Sequence, residues 1–178
     1  YDISKGTDRL VTIRLVSDFD QMRQQWFSSS TANIESAAIN HDGSELALIQ
    51  RGKLLRANVE EARVRQIGVE SDVRYRWVGF QGEKNTLLSL NDRNGEMEFW
   101  SHSSISEAAA LTKNAETLRW QGKASPDGKW FLHNDKNVRL FLCNFESQQE
   151  TLINEKSQDD YSEVSWSSDS KYFSFVRK

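Results

Sequence analysis

The side chains able to carry catalysis are thinly spread through these 178 residues. The three histidines are His41, His102 and His133, and neither His-x-x-x-His nor Glu-x-x-His occurs, so no pair stands at metal-ligand spacing. His41 falls at a turn. His133 falls on an apolar strand, where a packed or rim histidine is the ordinary reading and a ligand or base the alternative. A Ser-His-Asp triad assembles from distant positions, so spacing leaves it open, but there is no Gly-x-Ser-x-Gly elbow. The single cysteine, Cys143, excludes an intramolecular disulfide and a cysteine-based metal cluster, and its apolar surroundings suit an inert buried thiol. Asp18-x-Asp20, Asp42-Gly43 and Asp159-Asp160 lack the run of oxygen ligands that a calcium loop requires. Glycines occur singly rather than in a phosphate-cradling loop, so no cofactor, no metal and no catalytic residue is expected in the chain itself. One constellation has a recognition chemistry: Arg76 and Arg119 with Trp120 and Tyr75. Guanidinium groups pair with a carboxylate, and aromatic faces take apolar side chains, so these four can contact a peptide. The competing reading is a solvated rim in which the arginines pair with Glu35, Glu163 or other nearby acids.

What positions these residues is a repeat. Four segments align on Asp42, Glu83, Asp127 and Asp169, at intervals of 41, 44 and 42 residues. That is the period of a four-stranded propeller blade, about 40–45 residues. Five residues before each origin stand Ala37, Val78, Gly122 and Val164. Three before stand Ile39, Phe80, Ala124 and Trp166, and four after stand Leu46, Leu87, Phe131 and Phe173. Alternating apolar residues on both sides of a turn-forming centre predict a hairpin. Asp, Gly43, Gly128 and Pro126 supply the turn chemistry, and the Glu83-Lys84 copy is the weakest. Two further strands follow each hairpin, for example Lys53–Val59 and Val64–Val69 after the first. Eight residues before each origin stand Ile34, Tyr75, Arg119 and Tyr161, and seven before stand Glu35, Arg76, Trp120 and Ser162. Both columns are expected at the mouth of the first strand, which lines a propeller's channel.

The fold expectation is therefore all-β: a β-propeller fragment of about four blades of four antiparallel strands, three whole and two half. The boundaries read as a half blade over 1–17, a bridging segment over 18–32, blades over 33–71, 72–114 and 115–156, and a half blade over 157–178. In the first half blade, a strand is expected over 10–16. In the bridge, Phe19, Met22 and Trp26 are expected on the inner face of a short helical turn. The terminal halves either pair into a closed four-bladed ring or belong to an arc of a larger propeller, and the mid-blade start without a methionine favours the arc. A composition of 37% hydrophobic and 28% charged residues excludes wholesale disorder, and the formal charge of −3 argues against nucleic acid as a partner. No run of about 18 apolar residues is present, so no membrane span is expected.

The hexapeptide Ser125-Pro126-Asp127-Gly128-Lys129-Trp130 and its weaker copies resemble the TolB-type propeller repeat. A longer ordered series runs over essentially the whole chain: Asp18-Phe19-Asp20 with Arg23 and Trp26, Arg51-Gly52, Val73-Arg74-Tyr75-Arg76, Gly95-Glu96-Met97-Glu98-Phe99-Trp100, and Leu118-Arg119-Trp120. This series resembles the propeller region of tricorn-like serine peptidases. The resemblance implies a non-catalytic propeller segment of a larger peptidase, or hydrolase, that guides or gates peptide substrates and supports assembly. The partners it implies are peptides, the rest of the parent peptidase, and a second copy in a homo-oligomer. The family's nucleophile lies in a module this chain does not match, so no catalytic residue is carried over. A TolB-like protein-interaction scaffold unconnected with proteolysis is the alternative. Exported bacterial members of the family make a periplasmic location the expectation and the cytoplasm the alternative.

Overall fold

The computed structural model describes residues 1–14, 16, 23, 26, 28–29, 31–68, 70, 72–113, 117–155 and 161–176. Two units are distinguished, Tyr1–Ala32 and Asn33–Lys178. In the second, strands β1 (Ile34–Ile39), β2 (Glu45–Gln50), β3 (Lys53–Asn58) and β4 (Arg63–Ile67) form one sheet in that order. A second sheet holds β5 (Tyr75–Phe80), β6 (Leu87–Asn91), β7 (Glu98–His102) and β8 (Ala108–Ala110). A third holds β9 (Arg119–Ala124), β10 (Trp130–Asp135), β11 (Leu140–Asn144) and β12 (Glu150–Asn154). Strands β13 (Ser162–Trp166) and β14 (Phe173–Val176) form a two-stranded sheet. Every pairing is antiparallel between chain neighbours, so each sheet is a meander. Among the described residues of this unit there is no α-helix, and the fold is that of propeller blades.

Sheet faces become buried by stacking. Strand β5 packs on β1 and β2, and β9 packs on β5 and β6. Ala47, Ile49, Leu54 and Ile67 of the first sheet join Val78 and Leu87 of the second in one apolar cluster. Leu88, Leu90 and Phe99 join Phe131 and Cys143 across the next seam. Leu132 and Leu140 join Tyr161, with Val164 and Phe173 against them, across the last. Cys143 is buried, and its apolar surroundings push the thiol up to about 11.

The turns are built from one device. Asp127 accepts Ser125 Oγ at 2.6 Å and Lys129 N at 3.1 Å, while Ser125 Oγ accepts Trp130 N at 3.0 Å. Ser167, Asp169, Lys171 and Tyr172 repeat these contacts at 2.6, 3.1 and 3.0 Å. In the first copy Asn40 replaces the serine and its Oδ1 accepts Glu45 N at 3.0 Å. The serine hydroxyls, first among the causes, hold Asp42, Asp127 and Asp169 below the ordinary carboxylate range. The copy with Glu83-Lys84 at its centre forms a 3-10 turn over Gly82–Lys84 instead, closed by Asn85 at φ 54°. Turns also bind their neighbours. His41 N donates to Asn85 Oδ1 at 3.3 Å, Gln81 Nε2 to Gly128 O at 2.7 Å, and Asp127 N to Ser170 Oγ at 3.0 Å.

The first unit differs from the sequence expectation. In place of a half blade over 1–17, Asp2 and Thr7 form one isolated antiparallel bridge around a turn. The described part of the strand expected over 10–16 is not a strand, and Leu10, Val11 and Ile13 are exposed. A strand exists through its partner, and no described residue pairs with this segment. The helical turn expected over 18–27 lies largely outside the described residues. Trp26, expected to face inward, is exposed.

Gly82 shows how closely the turns approach. A Cβ there would stand 2.2 Å from Pro126 O and 2.6 Å from Ser125 O, at φ +46°, whereas at Gly43 (φ +77°) nothing lies within 4 Å. Gly43→Ala therefore costs about 1 kcal/mol for its left-handed backbone alone. Gly82→Ala costs at least about twice that, because backbone atoms of the next blade must move. Urea unfolding of the two variants of the intact protein measures the difference.

Candidate functional site

The four residues of the recognition constellation sit on two first strands, and one irregularity sorts them. In β1 the register slips between Ile34 and Ser36, in β5 between Tyr75 and Trp77, and in β9 between Arg119 and Gly122. Each slip is a β-bulge, an extra residue that turns the chain and re-aims its side chain. The bulge residues Glu35 and Arg76 are exposed, and Trp120 is 43% exposed. The residue just before each bulge is driven into the seam with the preceding sheet in the second and third copies. Tyr75 is 1% exposed and Arg119 7%. The structure therefore separates the constellation into an outward pair, Arg76 and Trp120, and a buried pair, Tyr75 and Arg119.

Arg119 is the centre of an ionic network between the second and third sheets. Its Nε lies 3.0 Å from Glu98 Oε2 on β7, and its Nη1 donates to Glu150 Oε1 on β12 at 2.9 Å. Thr112 Oγ1 donates to Glu98 and accepts Phe99 N at 3.0 Å. His133 Nε2 lies 2.6 Å from Glu150 Oε1, and Arg119 Nη1 stands 3.3 Å from both ring nitrogens. Burial, with Arg119 also against the charge, holds His133 below its usual value even though Glu150 opposes the shift. Burial raises Glu150, but hydrogen bonds from His133 and the charge of Arg119 outweigh it and leave it lowered. Asp135, also buried, accepts Arg139 Nε at 2.8 Å and Thr117 Oγ1 at 2.8 Å, which outweigh its desolvation and keep it ionised. The acids Arg119 pairs with are thus Glu98 and Glu150. Of the acids named from sequence, Glu35 stands 4.0 Å from Arg74 instead.

A second polar cluster lies in the seam between the first and second sheets. Ser89 Oγ and His102 Nε2 are 2.8 Å apart, and Asn91 Nδ2 donates to Ser89 Oγ at 3.0 Å. Ser89 is 0% exposed and His102 3%, so a substrate carbonyl has no approach to this hydroxyl. Burial first, then the nearby Arg93 cation, lowers His102 to about 4, while Glu70 acts the other way. No group of three or more His, Cys, Asp or Glu suited to a metal occurs among the described residues. No helix among them is long and apolar enough to cross a membrane.

The blade geometry and the sequence point to the same relatives. No family model matches the chain. It is 26% identical over 178 residues to a protein of Sulfurisphaera tokodaii named as a tricorn-like protease C-terminal subunit, covering 99% of this chain and 20% of that protein. It is 22% identical over 176 residues to a tricorn protease homolog of Saccharolobus solfataricus, covering 99% of this chain and 16% of that protein. The crystal structure of the tricorn protease superposes on 80% of this chain and 14% of its own with TM-score 0.67 at 15% identity. This chain is similar to tricorn-like proteases. The likeness extends over nearly its whole length, yet the chain spans only about a fifth of the first of these relatives. The propeller fold itself is shared more widely. The β-propeller domain of Cps50 (Swd1) from Myceliophteria thermophila matches with TM-score 0.62 at 8% identity, over 81% of this chain and 48% of that one.

Two outcomes follow from the buried groups. Arg119→Ala leaves Glu98 and Glu150 without their cation and costs about 3–5 kcal/mol in chemical unfolding. His102 and His133 are both depressed in the fold. Below pH 6.5 the unfolded chain takes up a proton at His102 that the folded chain refuses until about pH 4, so this contribution is full above 6.5 and is lost as the pH falls. The loss reaches about 3 kcal/mol for His102. His102→Gln flattens the fall of the urea midpoint between pH 7 and 4 by that share and leaves the share of His133.

Proposed function

We propose that this chain is a non-catalytic propeller segment of a tricorn-like serine peptidase, which guides peptide substrates past its first strands and contributes to the assembly of the parent enzyme. The observation that carries the reading is the recurring bulge, which presents Arg76 and Trp120 outward on adjacent first strands. An exposed guanidinium on one first strand and an exposed indole on the next suit a peptide carboxylate and an apolar side chain of the same peptide. Arg51, Lys53 and Arg74 line a charged groove together with Glu35 and Asp72, and Arg74 precedes Arg76 by two residues on the chain. Tyr75 and Arg119 hold the strands from beneath and act on a peptide only through the position of their neighbours. The assembly role is supported by the name of the Sulfurisphaera relative, a subunit.

Binding of unstructured peptides to the intact protein, followed by fluorescence anisotropy, tests this. Arg76→Ala and Trp120→Ala each weaken binding several-fold, and the arginine contribution fades as salt is raised. Unchanged affinity in both variants overturns the reading.

A further inference from the structure

The three seams are not filled alike, and the difference can be read residue by residue. In the second sheet the face turned toward the third carries Trp77, Gly79, Leu88 and Leu90. Trp77 stacks edge-on to Phe99 at 5.6 Å and meets Phe131 at 6.0 Å, which closes that seam. The corresponding residues of the third sheet are Gln121, Lys123, Leu132 and Asn134. An indole is replaced by a short amide, and a leucine by an asparagine. The result is a cavity of about 230 Å³ between β9–β10 and β13. Leu132, Leu140 and Val164 are its apolar lining, and Gln121 and Lys123 stand on its polar side. Asn134 also lines it. This residue is 4% exposed, and its Oδ1 is buried with no hydrogen-bond partner. Trp166 Nε1 donates to Lys123 O at 3.1 Å and pins β13 against the third sheet beside this space.

A buried acceptor without a donor costs about 1–3 kcal/mol, and the equivalent positions Ile49 and Leu90 avoid that cost by being apolar. The volume exceeds the roughly 150 Å³ that accommodates a benzene ring, and is well short of what several peptide residues need. We propose that this cavity binds one apolar amino-acid residue, which lays its side chain on Leu132, Leu140 and Val164 and donates an amide N–H to Asn134 Oδ1. The choice of a peptide residue as occupant rests on the peptide-contact reading above. The site itself is distinct from the Arg76–Trp120 surface.

The test titrates the intact protein with N-acetyl-leucinamide, an uncharged probe, followed by NMR shift changes. The native protein saturates. The double variant Gln121→Trp/Asn134→Leu, which copies the second sheet, binds at least tenfold more weakly and melts at a higher temperature because the space is filled. If the double variant does not fold, Asn134→Leu alone decides, since it removes the amide and keeps the size. Arg76→Ala binds the probe like the native protein. A native protein that shows no saturation holds water only, and the proposal fails. It fails equally if Asn134→Leu binds the probe undiminished, if benzene competes as strongly as the amide, or if Arg76→Ala loses the probe. Should the peptide variants leave peptide affinity unchanged while the probe still saturates, the rim reading falls and the cavity stands.

Discussion

One extra residue in each first strand decides what the surrounding residues can do. A regular strand would turn alternate side chains to the same face. With a bulge at Arg76, its two neighbours point to opposite seams: Tyr75 into the one behind and Trp77 into the one ahead. The third sheet follows the same rule, with Arg119 behind and Gln121 ahead. The bulge residue is left for solvent. A three-residue stretch thus locks one blade to two neighbours while keeping a single side chain free, and the candidate contact surface exists only because the residues flanking it are anchored.

The anchors differ in chemistry although they share a position. Tyr75 meets the first sheet with an aromatic ring beside His102, at 6.1 Å between ring centres. Arg119 meets the second sheet with a charge. Tyr161 meets the third with a ring packed edge-on to Phe175 at 5.3 Å. The geometry of the repeat asks only that the site be filled. Arg119 meets that demand through two carboxylates, the imidazole of His133 and the ring of Phe141, 6.0 Å from its guanidinium carbon. The propeller period can therefore be strict while the seams vary from apolar to ionic to partly empty.

The repeat was legible because turns and apolar columns are local. Asp, Ser and Gly at the hairpin centres, with alternating apolar residues around them, identified the blades and their chain order. The bulges were not anticipated, although a trace existed. The buried column holding Tyr75, Arg119 and Tyr161 stands three residues before the column of Val78, Gly122 and Val164, an odd spacing that strict alternation forbids within one face. Read without the bulge, Arg119 and Tyr75 were placed with Arg76 and Trp120 at a channel mouth. The ion pair of Arg119 with Glu98 spans two blades, and no local pattern announces it. The N-terminal segment failed for the opposite reason: Leu10-Val11-Thr12-Ile13 has strand composition, but composition alone supplies no partner.

The buried arginine is better understood as an alignment device than as a source of stability. Taking a guanidinium and two carboxylates out of water costs several kcal/mol per ion, and their attraction roughly offsets that cost. An apolar residue such as Ile34, which holds this place in the first copy, avoids the cost altogether. What the ionic version adds is direction. Apolar faces slide over one another with little penalty, whereas Arg119 reaches Glu98 at 3.0 Å only when the third sheet stands at one height against the second. A shift leaves Glu98 without its cation in a buried seam, whereas Glu150 belongs to the same sheet as Arg119 and moves with it. That single allowed height also sets where the neighbouring bulge presents Trp120 relative to Arg76. The ion pair thereby fixes the spacing of the outward pair, although it never touches what the pair would bind.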